Sequence, residues 1–75
     1  MRIEEHIIAM HHDMTAIFDR YAIFLGPQST QARLAREEMT NLVFRVRQMT
    51  EPKKQISALT KYISKLTIQL NELFT

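Results

Sequence analysis

Apolar residues recur along this chain at alternating steps of three and four, in three separate blocks. The first block consists of Ile3, Ile7, Met10, Met14, Ile17, Tyr21 and Phe24. The second consists of Ala32, Ala35, Met39, Leu42, Val46 and Met49. The third consists of Ile56, Leu59, Ile63, Leu66, Leu70 and Leu73. This is the spacing of heptad positions a and d, which places each block along one side of an α-helix, the seam of that helix.

Turn residues separate the three blocks. Gly26 and Pro27 follow the first block, since glycine readily ends a helix and proline cannot continue its hydrogen-bond ladder. Ser29 or Thr30 can then cap the second helix through a side-chain oxygen. At Pro52 the heptad phase also changes, which indicates a turn, whereas the alternative is one long helix kinked at that proline. We predict helices over about residues 2–25, 29–50 and 52–74, in one domain spanning 1–75.

The predicted fold is all-α, with three heptad-patterned helices in an antiparallel up-down-up bundle or in a helical hairpin that oligomerises. Leu66 and Leu70, in the third seam, are expected in the core. One glycine and two prolines are too few for a fold of strands and hairpins. A chain of 75 residues without cysteine has no disulfide to strengthen a core that buries only about 60% of the unfolded surface.

The net charge and the lack of a long apolar segment exclude few functions. The net charge is +2, from ten basic and eight acidic residues, which is weak evidence for a polyanionic partner. No run approaches the ~18 apolar residues of a membrane span, so we expect no membrane partner. The absence of cysteine and the lack of an apolar signal-peptide core near Glu4, Glu5 and His6 lead us to expect a cytoplasmic protein.

Candidate catalytic and metal-binding residues lack the spacing that their chemistry needs. His6, His11 and His12 are five, six and one positions apart, whereas metal ligands on one helix side are three or four apart. Met10 and Met14 share a side with His6 and could complete a Cu(I) site, but both belong to the first seam. No serine sits in a recognisable nucleophile motif and no glycine-rich loop is present. We predict a non-enzymatic protein with no catalytic residue, cofactor or metal.

Five apolar residues fall outside the seams, on helix sides that would face water in a monomeric bundle. They are Ile8, Ile23, Leu34, Phe44 and Ile68. Such a surplus in a small chain favours a buried interface. Phe44 shares one side of the second helix with three arginines, and aromatic and arginine side chains dominate binding hot spots. The predicted partner-binding residues are Phe44, Arg33, Arg36, Arg47, Leu34, Ile23 and Ile68.

Together these features predict a helical protein–protein interaction module, adaptor- or chaperone-like, that self-associates, binds a partner protein, or does both. The alternative is a small nucleic-acid-associated regulator, because residues 28–54 hold six basic residues against three acidic ones. Glu37 lies on the same side as the three arginines, which makes that side less suited to phosphate. Binding through phosphates would weaken steeply with salt, whereas apolar association would barely respond.

Overall fold

The computed structural model describes residues 2–74 and contains three α-helices. Helix α1 spans Ile3–Leu25, α2 spans Thr30–Gln48 and α3 spans Pro52–Glu72. The helices pack into a globule with a radius of gyration of 12.8 Å and extents of 35 × 21 × 15 Å, and the most extensive packing is between α1 and α3. The prediction of an all-α protein with three helices is confirmed. Within the described residues, no helix is both long and apolar enough to cross a membrane.

The connection between α1 and α2 depends on one glycine and one serine. Gly26 has a φ of 97°, a conformation that residues with a side chain rarely adopt. The Ser29 hydroxyl donates to the carbonyl oxygen of Gly26 at 2.8 Å and accepts from the backbone N–H of Ala32 at 3.2 Å. Of the two possible caps, the structure therefore assigns the role to Ser29.

Residues 49–51 leave the helical conformation between α2 and α3. The Gln55 side-chain amide reaches back from α3 and donates to the carbonyl oxygens of Val46 at 3.0 Å and Met49 at 3.1 Å. These carbonyls lie at the end of α2, where a helix has no partners of its own for its last carbonyl groups. Accordingly α2 and α3 are separate helices, and the alternative of one long kinked helix is wrong.

Side chains from all three helices form one hydrophobic core. Its buried members are Met14, Phe18, Tyr21, Ala22, Ala32, Ala35, Leu42, Val46, Leu59, Tyr62 and Leu66. The Tyr62 hydroxyl donates to the carbonyl oxygen of Ala35 at 3.1 Å, which satisfies the buried phenol and joins α3 to α2. The two core alanines of α2, Ala32 and Ala35, let a neighbouring helix approach the first half of α2 closely.

Along α1 and α3, the residues that are buried differ from those of the predicted seams. Phe18 and Ala22 are buried although they lie outside the first seam, and Phe24 is 52% exposed although it belongs to that seam. Tyr62 is buried beside the third seam, whereas Leu70 is only half-buried, so its predicted burial is wrong. A straight helix has 3.6 residues per turn. A seam of residues spaced every 3.5 positions on average therefore rotates about 20° around such a helix with each heptad. Over a helix as long as α1 this offset turns the last seam residue towards solvent.

Candidate interaction surfaces

The five apolar residues predicted outside the seams are all exposed, from 57% at Ile8 to 75% at Ile23. At 100° per residue, Ile23, Phe44 and Ile68 each lie roughly 160–180° around their helix from a buried residue. Since these three residues belong to three different helices, their side chains leave the molecule in different directions. The predicted partner-binding set is therefore dispersed over the surface and does not form one patch.

Two of the arginines that share a side of α2 with Phe44 lie towards α1. The Arg36 guanidinium carbon lies 5.9 Å from the centre of the Phe18 ring on α1, where it covers the edge of the core. Arg36 and Arg47 both turn from Phe44 towards α1, by about 80° and 60° around the helix. Phe44 itself is 64% exposed. Arg36 thus contacts a side chain of α1, and Phe44 is left on the exposed side of α2.

The boundary between α1 and α2 also contains a half-buried histidine. Burial, the positive charge of Arg47 and the neighbouring His12 lower the pKa of His11 from its ordinary value of 6.5. The Thr15 hydroxyl donates to the His11 carbonyl oxygen at 2.9 Å, a bond within α1. In the part of the chain that the structure describes, no three histidine, aspartate or glutamate side chains are grouped so as to hold a metal ion.

Aromatic side chains meet where α1 ends and the chain leaves α3. The rings of Phe24 and Phe74 are in edge contact, with centroids 4.9 Å apart and planes inclined at 62°. They line a hollow of about 420 Å³ together with Ile23, Leu70 and Arg20. We call Ile23, Phe24, Leu70 and Phe74 the apolar end. Only Ile23 was a predicted site residue. The sequence feature that could have indicated the apolar end is an aromatic residue at or next to the end of the first and third blocks, namely Phe24 and Phe74.

A second concave surface, the α2–α3 cleft, has a volume of about 470 Å³. Its apolar floor is formed by Leu42, Met49, Ala58 and Tyr62. Four cations surround this floor, namely Arg45, Lys54, Lys61 and Lys65. No sequence pattern predicts the cleft, because its cations come from two helices and share no sequence spacing. Their one common signal is the excess of basic residues in the second half of the chain.

Acidic side chains partly neutralise the α2–α3 cleft. Lys65 donates to a Glu38 carboxylate oxygen across the two helices. The Lys54 ammonium lies 3.8 Å from a carboxylate oxygen of Glu51, the residue that precedes α3. Burial, assisted by the negative charge of Glu38 and by Tyr21, raises the pKa of Tyr62 to about 12. Tyr62 is therefore a neutral hydrogen-bond donor at physiological pH, committed to the Ala35 carbonyl oxygen.

Comparison with protein-family models, with curated proteins and with solved structures finds no match to this chain. Function is therefore inferred from the apolar end and the α2–α3 cleft.

Proposed function

We propose that this chain is a non-enzymatic interaction module that binds another protein chain, a second copy of itself included, through exposed apolar side chains. The observation that carries the proposal is the apolar end, where Ile23, Phe24 and Phe74 are 75%, 52% and 68% exposed. Burying one such side chain is worth about 1.5–3 kcal/mol. A contiguous cluster of this kind costs solubility unless a partner covers it.

The composition of the apolar end resembles that of binding hot spots. Two phenylalanines form its centre and Arg20 lies at its margin, and aromatic and arginine side chains carry most of the energy in protein interfaces. The small size of the chain adds to the argument, because a short chain gains stability from surface buried against a partner.

We also propose that the three helices form an up-down-up bundle in which α2 runs opposite to α1 and α3. The contact of Phe24 with Phe74 supports this, since it joins the C-terminal ends of α1 and α3. The bond from Gln55 to Val46 joins the start of α3 to the end of α2. In such a bundle the apolar end lies at one pole, where a two-fold contact between copies would bury it against itself.

Sedimentation velocity on wild type and on charge-introducing variants tests this function. Wild type should associate at micromolar concentration, and the double variant Ile23→Glu/Phe74→Glu should associate at least about tenfold more weakly, because two buried anchors are lost. Ile8→Glu is the matched control, an exposed isoleucine of the same helix outside the apolar end. Circular dichroism should show unchanged helicity in both variants.

Phe44→Glu distinguishes the apolar end from the predicted face of α2. If that variant alone abolishes association, the interface is the Phe44 face and not the apolar end. The proposal would be contradicted if the wild-type chain stays monomeric at millimolar concentration and forms no Ile23-dependent crosslink in its source cell.

The nucleic-acid alternative has less support from the geometry. Arg36 covers Phe18, and Lys65 is paired with Glu38, so two of the cations that phosphates would need have contacts within the chain. Glu37 remains exposed on α2 beside Arg33. Titration with an oligonucleotide at increasing salt tests this alternative, because release of counterions makes phosphate binding steeply salt-dependent.

A further inference from the structure

We infer that the α2–α3 cleft binds an acidic peptide segment of a partner protein, one that presents an aliphatic side chain between carboxylates. The inference rests on the proposed function, since it names the chemistry of a protein partner, but it concerns a different surface from the apolar end. A volume of about 470 Å³ falls within the range of about 300–1,000 Å³ that is typical of ligand-binding pockets.

The floor of the cleft selects an apolar group. Leu42 is 4% exposed at its base, and the half-buried Met49 and Ala58 lie beside it. Methionine is flexible and adapts to the shape of what it contacts. Tyr62 offers no free hydrogen-bond donor, because its proton is donated to the Ala35 carbonyl oxygen. An aliphatic side chain therefore fits this floor, whereas a charged group placed there would lose its hydration without gaining a partner.

The rim of the cleft selects carboxylates. Within residues 2–74, Arg45 and Lys61 have no ion-pair partner. The guanidinium of an arginine can take a carboxylate through two parallel hydrogen bonds. Lys54 and Lys65 do have acidic partners, but their side chains are 69% and 51% exposed. Such exposed pairs are weak, so a ligand carboxylate can replace the internal one at little cost.

Two other anionic ligands fit the cleft less well. A nucleic acid would meet the rim cations with its phosphates but would leave the apolar floor unused. A small inorganic anion needs donors pre-positioned at depth, yet the described part of the chain has no buried side-chain donor without a partner. An amphipathic acidic helix lying in a groove between two helices uses both the floor and the rim.

Fluorescence anisotropy with the full chain and three labelled probes tests the inference. The probes are a peptide of Leu and Glu at helical spacing, the same peptide with Gln for every Glu, and a single-stranded DNA oligonucleotide. The acidic peptide should bind about tenfold more tightly than its Gln counterpart at low salt, because several rim cations act on it together.

Two double variants with the same change in net charge locate the site. Arg45→Glu/Lys61→Glu should weaken binding of the acidic peptide by about tenfold or more. Arg33→Glu/Arg47→Glu removes the same charge from the other side of α2. At about 0.15 M salt, where screening limits the reach of exposed charges to about 8 Å, this control should change affinity by less than about twofold. If the first variant loses helicity by circular dichroism, Arg45→Gln/Lys61→Gln replaces it.

Three outcomes would overturn the inference: equal affinity for the two peptides, equal loss in the two double variants, or tighter binding of the oligonucleotide. The apolar-end variant Ile23→Glu/Phe74→Glu should retain full affinity for the acidic peptide. A wild-type chain that self-associates but does not prefer the acidic peptide refutes the cleft and leaves the proposed function standing. Both are refuted by a chain that does not prefer the acidic peptide, stays monomeric at millimolar concentration and forms no Ile23-dependent crosslink in its source cell.

Discussion

At the scale of single residues, depth of burial separates two leucines of α3. Leu66 is 1% exposed in the middle of the core, while Leu70 is half-buried beside the apolar end. Leu66→Ala should lower the free energy of unfolding by roughly 2–5 kcal/mol, and Leu70→Ala by clearly less, because Leu70 is only partly buried and its truncation removes less area from the core. Urea denaturation followed by circular dichroism measures both. Equal losses would show that the third seam is buried evenly along its length.

Tyr62 stabilises the fold through one buried hydrogen bond, and the burial of its phenol makes the stability of the protein fall at alkaline pH. Tyr62→Phe should lower the free energy of unfolding by about 1 kcal/mol at neutral pH, since the bond to the Ala35 carbonyl oxygen is lost. The pKa of Tyr62 in the folded state, about 12, lies above the value of about 10 in the unfolded chain. The associated stability is therefore fully present below about pH 10 and is lost as the pH rises towards 12.

Urea denaturation at neutral pH and near pH 11 distinguishes Tyr62→Phe from wild type. The variant should lose less stability between these two conditions, because it lacks the phenol whose ionisation the fold resists. Tyr21→Phe is the control, as it removes another core phenol. If Tyr62→Phe and wild type respond identically to alkaline pH, burial does not hold the proton on Tyr62.

At the scale of the helices, the N-termini of α2 and α3 are capped differently. Ser29 caps α2 through its side-chain oxygen, whereas Glu51 precedes α3 without a side-chain cap. Ser29→Ala should therefore cost about 1 kcal/mol, and Glu51→Ser should add up to about 1 kcal/mol. The exposed pair of Glu51 with Lys54 that the second change removes is worth little.

Thermal melts of the two capping variants should move in opposite directions. A decrease for Glu51→Ser would mean that the extended backbone at residue 51, with φ of −95° and ψ of 118°, does not let a serine oxygen reach the first N–H groups of α3. Since Pro52 has no N–H to donate, that oxygen must reach further into the helix.

At the scale of the whole molecule, His11 lies at the boundary between α1 and α2 and makes the stability of the protein fall at acidic pH. The pKa of His11 in the folded state lies below 6.5, through burial first and then Arg47 and His12. The folded state therefore binds a proton less readily than the unfolded chain does, so the full stability present above pH 6.5 falls as the pH decreases below that value. His11→Gln should remove part of this dependence, which thermal melts at about pH 7.5 and about pH 5 measure.

His6→Gln is the matched control for that experiment, because His6 is an exposed histidine of the same helix. If His6→Gln and His11→Gln flatten the pH dependence equally, the effect belongs to the overall charge of α1 and not to the contact between α1 and α2.

Much of the fold follows from local sequence signals, namely helix-ending residues and the spacing of apolar residues. The observed helices begin and end within two residues of their predicted bounds, because Gly26 and Pro52 act on their own neighbours whatever the tertiary structure is. The second seam is buried or half-buried at all six of its positions. Exposure of Phe44 and Ile68 was also predictable, since helical periodicity alone places them opposite the core.

The order of the helices in space and the composition of the surfaces were decided only by the tertiary structure. Burial of Tyr62 in place of full burial of Leu70 depends on how α3 rotates against α1 and α2, which a heptad repeat leaves open to within tens of degrees. Arg36 covers Phe18 instead of Phe44 because its long side chain reaches the neighbouring helix. The apolar end and the α2–α3 cleft each combine residues from two helices, and periodicity within one helix holds no information about which residue of another helix will stand beside it.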